Sequence, residues 1–120
     1  MKPSSAKAKG RALQDWTRKK LMEELDIHED DIKTAVMGES GEDIKMARAA
    51  REKFPFSIEC KNVEKLNVWE AYEQAKENCG KYEPLVVMKK NRKKPLVVLD
   101  AEAFIDLIRK QNHVITNTEL

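Results

Sequence analysis

Histidine and cysteine are scarce in this chain, two of each in 120 residues. His28 lies in an acidic stretch and His113 in the C-terminal segment, so neither a one-histidine nuclease nor a zinc site has support. Cys60 and Cys79 have no metal-ligand spacing and no partner set. Cys60 reads as buried and reduced, which points to a cytosolic location. No apolar run approaches the roughly 20 residues of a membrane span, and the basic N-terminus lacks the apolar stretch of a secretion signal. Aromatic residues make up only 6%, so the core should be mainly aliphatic. There is no internal repeat and no low-complexity tract. A net charge of +2 excludes a polycation that coats nucleic acid indiscriminately.

What the chain has is charge, at 37% of residues, unevenly distributed. Basic residues gather from Lys2 to Lys20, in the run Lys89-Lys90-Asn91-Arg92-Lys93-Lys94, and at Arg109-Lys110. Acidic residues gather between Glu23 and Asp31 and between Glu70 and Glu77. The length suits one compact domain. Residues 1–8 read as a flexible basic tail, 9–111 as the domain, and 112–120 as a frayed C-terminal tail.

Residues 10–25 have helical periodicity, with Leu13, Thr17, Leu21 and Leu25 on one stripe and Trp16 beside it. Arg11, Gln14 and Arg18 share a neighbouring polar stripe. An acidic turn at His28-Glu29-Asp30-Asp31 leads into a short strand over 32–37. Gly38-Glu39-Ser40-Gly41 breaks regular structure before a brief strand at Asp43-Ile44. Residues 45–53 suit a short helix, ended before Pro55. Residues 56–61 form the expected central strand. A helix over 68–79 is capped by Asn67, with Glu70 placed for a capping box and Gly80 at its end. Strands at 84–88 and 95–99 flank a turn at 91–94, and Asp100 caps a last helix carrying Phe104, Leu107 and Ile108. The order predicts a mixed α/β domain with helices flanking one sheet. Trp16 and Trp69 are assigned to the core rather than to base stacking.

The chemistry concentrates in Ser57-Ile58-Glu59-Cys60-Lys61-Asn62 and the loop Gly38 to Asp43. Strand alternation sends Phe56, Ile58 and Cys60 to one face and Ser57, Glu59 and Lys61 to the other. Two carboxylates, Asp43 and Glu59, beside the Lys61 ammonium make a site for a divalent metal and an activated water. Magnesium keeps several waters, so two acids plus substrate phosphate suffice, and the Cys60 backbone carbonyl can complete the protein's share. Lys61 can orient the water or stabilise charge on the phosphate. A bare Glu-x-Lys triplet is equally a solvated pair on an edge strand. The Phe-Pro-Phe-Ser-Ile lead-in argues for a central strand, where charge is costly without a role.

An acid at a strand end followed sixteen residues later by Glu59-Cys60-Lys61 resembles the PD-(D/E)XK nuclease superfamily. The longer strings Gly41-Glu42-Asp43-Ile44 and Phe54-Pro55-Phe56-Ser57-Ile58-Glu59-Cys60-Lys61-Asn62 are similar to a group of small phage-encoded members akin to Holliday-junction resolvases. The resemblance covers roughly residues 8–110. Glu42 stands where the superfamily name has proline. Gln14, after Lys9-Gly10-Arg11, stands where resolvase-like members often place a glutamate that binds metal.

The resemblance implies a restriction-endonuclease-like mixed sheet flanked by helices, and a magnesium-dependent endonuclease for which Mn²⁺ substitutes. It implies metal held by Asp43, Glu59, the Cys60 carbonyl and Gln14, with Lys61 and a helix glutamine, Gln74, as catalytic partners. Arg11, Arg18, Ser40, Lys89, Lys90, Arg92 and Lys93 are the candidate DNA contacts, which fix position without reading bases. It further implies branched DNA as substrate, a homodimer to cut two strands symmetrically, and action in the cytoplasm of a phage host. A nuclease of linear duplex or single-stranded DNA is the alternative within enzymes. A non-catalytic nucleic-acid-binding protein with a decayed site is the alternative outside them.

Overall fold

The computed structural model describes residues 3–36 and 38–119. The N-terminal helix α1, Pro3–Leu25, buries Leu13 and Thr17 and half-buries Leu21, Met22 and Leu25 against the core. Proline is tolerated at a helix start because the first N–H groups have no intrahelical partner. The helix therefore starts at Pro3, and residues 3–8 extend it where a loose tail was expected. Thr17 lies in the core yet is satisfied, since its Oγ1 donates to the Leu13 carbonyl at 2.8 Å. Asp26 ends the helix in the left-handed region at φ 53°.

After a single 3₁₀ turn at Glu29–Asp31, strand β1 (Ile32–Thr34) pairs antiparallel with β2 (Ile44–Met46). The first strand is shorter than expected, and Met37 lies outside the described residues. Helix α2, Arg48–Lys53, stops before the Phe54-Pro55 pair, as the steric demand of proline on its predecessor requires. Strand β3 (Phe56–Asn62) then runs parallel to β4 (Glu83–Lys89), joined by the crossover helix α3 (Val68–Glu77). The Asn67 side chain accepts from the Glu70 N–H at 3.1 Å, which is the expected cap. Strand β5 (Leu96–Leu99) returns antiparallel to β4, and helix α4 (Ala101–Glu119) follows, with Asp100 Oδ2 accepting from the Ala103 N–H at 2.9 Å. Residues 112–119 continue that helix where fraying was expected.

The result is a single α/β domain with helices flanking mixed and antiparallel sheets. The sheet order differs from the expectation in two ways. The strands form a two-stranded and a three-stranded sheet, and β4, not β3, is central in the latter. The free edge of β3 is met instead by the start of β2, where the Asp43 N–H donates to the Ile58 carbonyl at 3.0 Å.

Two apolar layers sandwich the larger sheet. Phe56, Ile58 and Cys60 pack with Leu13, Ile32, Ile44, Leu85 and Val87 on the α1 side. Val86 packs with Ala71 and Ala75 on the α3 side. Because α3 meets the sheet through alanines, its tryptophan does not: Trp69 is 83% exposed and Trp16 is 44% exposed, so neither belongs to the core. Among the described residues no helix is long and apolar enough to cross a membrane.

Candidate metal centre

The loop between β1 and β2 exists to deliver Asp43. Gly38 and Gly41 adopt φ of +84° and +95°, conformations that side chains oppose. A Cβ on Gly41 would stand 2.8 Å from the Lys45 ammonium, which is held there by the Ser40 carbonyl at 2.9 Å. The Ala35 N–H closes the loop onto the Asp43 carbonyl at 2.8 Å. The Asp43 side chain then reaches the edge of β3, where its Oδ2 accepts from the Cys60 N–H at 2.7 Å. Strand geometry points the N–H and C=O of one residue to the same edge. The Cys60 carbonyl therefore faces the Asp43 side of β3.

Glu59 sits on the opposite face of β3 from the Ile58–Cys60 layer, as alternation predicted, and is only 4% exposed. Its carboxyl lies close enough to that of Asp43 for the Asp43 charge to act on it. Burial, and then the Asp43 charge, push the Glu59 carboxyl up to about 7, against the opposing pull of Lys61. Burial also raises Asp43, countered by the Cys60 N–H and by the Lys61 and Lys45 ammonium groups. Glu59 Oε2 is buried with no hydrogen-bond partner among the described residues. A buried acid facing a second acid, with an orphan oxygen, is a costly arrangement that a hard cation would relieve.

Other predicted residues divide into those the fold brings here and those it does not. Gln14 and Arg11 line a cleft of about 510 Å³ together with Asp43, Thr34 and Gly38. Asp15 lines it too, an acid the sequence reading passed over. Arg18 turns away from it. Its Nε donates to the Ile32 carbonyl at 2.6 Å and its Nη2 to the Glu29 carbonyl at 2.9 Å, so it ties α1 to the turn before β1 rather than facing a phosphate. Ser40 is exposed in the loop, where its carbonyl serves Lys45. Gln74 is exposed on α3. The α3 residue that reaches the acids is Asn78, at the helix C-cap, whose side chain favours ionised Glu59.

Glu42, which stands where the superfamily name has proline, is committed to a buried network. It pairs with the buried Arg51 and accepts from Ser57 Oγ at 2.6 Å. Arg51 also donates to the Phe56 carbonyl at 2.9 Å and stacks 4.3 Å over the Tyr82 ring. This network clamps the residue before Asp43 to the residue after Phe56. The signal for it was an arginine in an alanine-rich helix, which carries no information about its partner. Lys9 is a second omission. Its carbonyl accepts from the Asn62 side chain at 2.9 Å, and its buried Nζ has no partner among the described residues.

Lys89, Lys90 and Lys93 border a groove of about 630 Å³ that begins one residue after Asn62, with Val63, Leu66 and Met88 on its floor. Arg92, at φ 65°, occupies the hairpin tip and is exposed. The β3–β4 register sets Lys89 beside Asn62, so the basic hairpin lies at the Lys61 end of the strand. Among the described residues no group of three or more His, Cys, Asp or Glu side chains converges as a metal cluster, so the centre rests on the acid pair. A scan of protein-family models, a search of curated proteins and a search of solved structures each found no match to this chain.

Proposed function

We propose that the protein is a magnesium-dependent DNA endonuclease with a restriction-endonuclease-like core. The observation that carries the reading is the proximity of the Asp43 and Glu59 carboxyls, with Glu59 Oε2 buried and unpartnered among the described residues and the Lys61 charge acting on both acids. Asp43 and Glu59 would hold the ion, with the Cys60 carbonyl and Gln14 as neutral oxygen donors. That all-oxygen set suits Mg²⁺ or Mn²⁺ and leaves room for waters and a phosphate oxygen. When bound, the ion supplies Lewis-acid chemistry and a water of lowered pKa.

The chain's own groups do the rest. The Cys60 N–H fixes Asp43 Oδ2, so one acid is oriented by backbone rather than by a mobile side chain. Lys61 carries a positive charge next to the pair and stabilises negative charge on the phosphate under attack. Arg11, in the cleft that Asp43 also lines, and Lys89, Lys90, Arg92 and Lys93 on the hairpin would grip backbone phosphates. With contacts of this kind, substrate choice is by DNA shape, and branched DNA such as a four-way junction is the proposed substrate, cut by paired chains in the cytoplasm of a host cell.

The experiment compares cleavage of a four-way junction and of linear duplex of the same sequence, with Mg²⁺, for the wild type and Lys61→Ala. The reading expects junction cleavage well above duplex cleavage, and a Lys61→Ala chain that still binds but cuts at least about a hundredfold more slowly. Equal rates on both substrates would leave a general nuclease. No cleavage of any DNA with Mg²⁺ or Mn²⁺ would overturn the assignment.

A further inference from the structure

The groove bordered by the hairpin lysines is built from two kinds of side chain. Val63, Leu66, Val68, Met88 and Leu96 make it apolar, and five lysines, Lys65, Lys89, Lys90, Lys93 and Lys94, line it as well. Glu64 is the one acid on its wall, and that carboxylate is taken, since its Oε2 accepts from the Asn91 N–H at 2.7 Å. The bond ties the chain after β3 to the hairpin tip, so the two walls are linked before anything binds. Among the described residues none of these lysines forms an ion pair, and Lys89 Nζ donates to the Lys90 carbonyl at 3.1 Å. Like charges gathered at one rim repel one another, and an apolar floor facing water carries a cost. A flat apolar group with negative charge at its ends relieves both.

We infer that this groove receives an unpaired nucleotide of DNA, with its base on the apolar floor and its phosphates among the lysines. The inference rests on the nuclease reading for its DNA and narrows which DNA, namely a strand that leaves its duplex at a branch or an end. Each nucleotide of such a strand supplies one π face and one phosphate. A duplex hides its faces in the stack, an acidic peptide brings charge without the ring, and a lipid surface is met by protruding apolar side chains rather than by a floor behind lysines. The volume, about 630 Å³, lies within the range of pockets that bury a small molecule.

The place of the groove in the fold supports the assignment. Met88 on its floor is the register partner of Lys61, and Lys89 is that of Asn62. Register partners share a face of the sheet, and neighbouring strands lie about 4.8 Å apart. The ladder continues past β3, where the Val63 N–H donates to the Lys89 carbonyl at 3.1 Å. A base seated on Met88 therefore leaves the next phosphate of its strand beside Lys61. The Met88 thioether suits the contact, because a polarisable sulfur packs well against aromatic rings. An apolar floor reads no base edge, so binding tolerates sequence.

Fluorescence anisotropy of a labelled oligothymidine in EDTA tests the groove without any cleavage. An abasic strand of the same length carries the same phosphates and no bases. The full chain is expected to bind the oligothymidine at least about tenfold more tightly than the abasic strand. Val63→Ser with Leu96→Ser changes no charge at two positions that are 41% and 58% exposed, and is expected to erase that preference. Lys93→Gln with Lys94→Gln is expected to weaken both strands alike and to flatten the slope of log K against log salt by about 1.4. A wild type that binds both strands equally, or neither, would overturn the inference. So would a preference that the Val63 and Leu96 substitutions leave unchanged. An oligouridine, a polyglutamate peptide or vesicles of anionic lipid bound more tightly than the oligothymidine would overturn it as well. The nuclease reading fails on different evidence: a chain that prefers bases in EDTA but cuts nothing with Mg²⁺ or Mn²⁺ keeps the groove and loses the metal centre.

Discussion

Replacing Glu59 by glutamine is expected to make the metal-free protein more stable at high pH while removing a ligand of the metal centre. The Glu59 carboxyl moves from its ordinary 4.5 to about 7 in the fold. Between those values the native state holds a proton that the unfolded chain has released. Stability therefore falls as pH rises through the window, by about 3 kcal/mol for the roughly 2.5 units separating the two values. Asp43 is raised as well, so the two acids titrate as a pair and the loss is spread across both. Glutamine matches protonated glutamate in shape and does not ionise. In EDTA, urea unfolding should find Glu59→Gln equal to the wild type near pH 4.5. At pH 8 it should be more stable by up to about 3 kcal/mol, a midpoint shift of about 1–2 M urea. Adding Mg²⁺ at pH 8 should restore the wild type and leave the variant unmoved. A wild type whose stability is flat from pH 4.5 to 7, or a variant less stable at pH 8, would refute the acid-pair reasoning.

Two further substitutions probe the surroundings of the pair. Arg51→Ala strands Glu42 and the Phe56 carbonyl in a buried setting, and urea unfolding should show a loss of about 3–5 kcal/mol. A loss below about 1 kcal/mol would mean the clamp holds nothing. Gln14→Glu adds an acid to the cleft that already holds Asp43, and calorimetric titration should show Mn²⁺ binding about tenfold tighter. Unchanged affinity would place Gln14 outside the coordination sphere.

Much of the fold was legible because its signals are local. Proline after Phe54, the Asn67 cap, the Asp100 cap and the glycines around Ser40 each act within a few residues of themselves, and each ended or started the element expected. The alternation along β3 placed Glu59 opposite Ile58 and Cys60 for the same reason. Strand order was not legible. Nothing in 56–62 says that its far edge meets Asp43 instead of another strand, because that contact depends on a loop sixteen residues away. The helix ends also ran further than the hydrophobic stripe suggested. Residues 3–8 hold no large apolar side chain to mark a helix, and in 112–119 only Val114 and Ile115 are apolar.

The site shows the same division. Asp43, Glu59 and Lys61 came from a motif and Gln14 from a stripe; Asp43, Glu59 and Lys61 lie close enough to act on one another's charge, and Gln14 shares with Asp43 a cleft that neither Glu59 nor Lys61 lines. Gln74 was chosen by helix position alone. The fold puts Asn78 against the acids instead, since α3 meets the sheet through Ala71 and Ala75 and its C-cap turns inward. Arg18 shared a stripe with Arg11 but lies two turns further along α1, beyond the cleft and beside the Ile32 and Glu29 carbonyls. Charge alone cannot say whether an arginine faces a phosphate or its own backbone. The tryptophans were misplaced because size predicts burial only when the packing face has room, and alanines fill that of α3.

The most direct measurement is Mn²⁺ binding followed by electron paramagnetic resonance, without DNA. The account predicts that the wild type takes up Mn²⁺ at pH 8 and releases it as the pH drops below 7, and that Asp43→Asn and Glu59→Gln each abolish uptake. Equal binding by the wild type and both variants, or no binding by any of them, would contradict it.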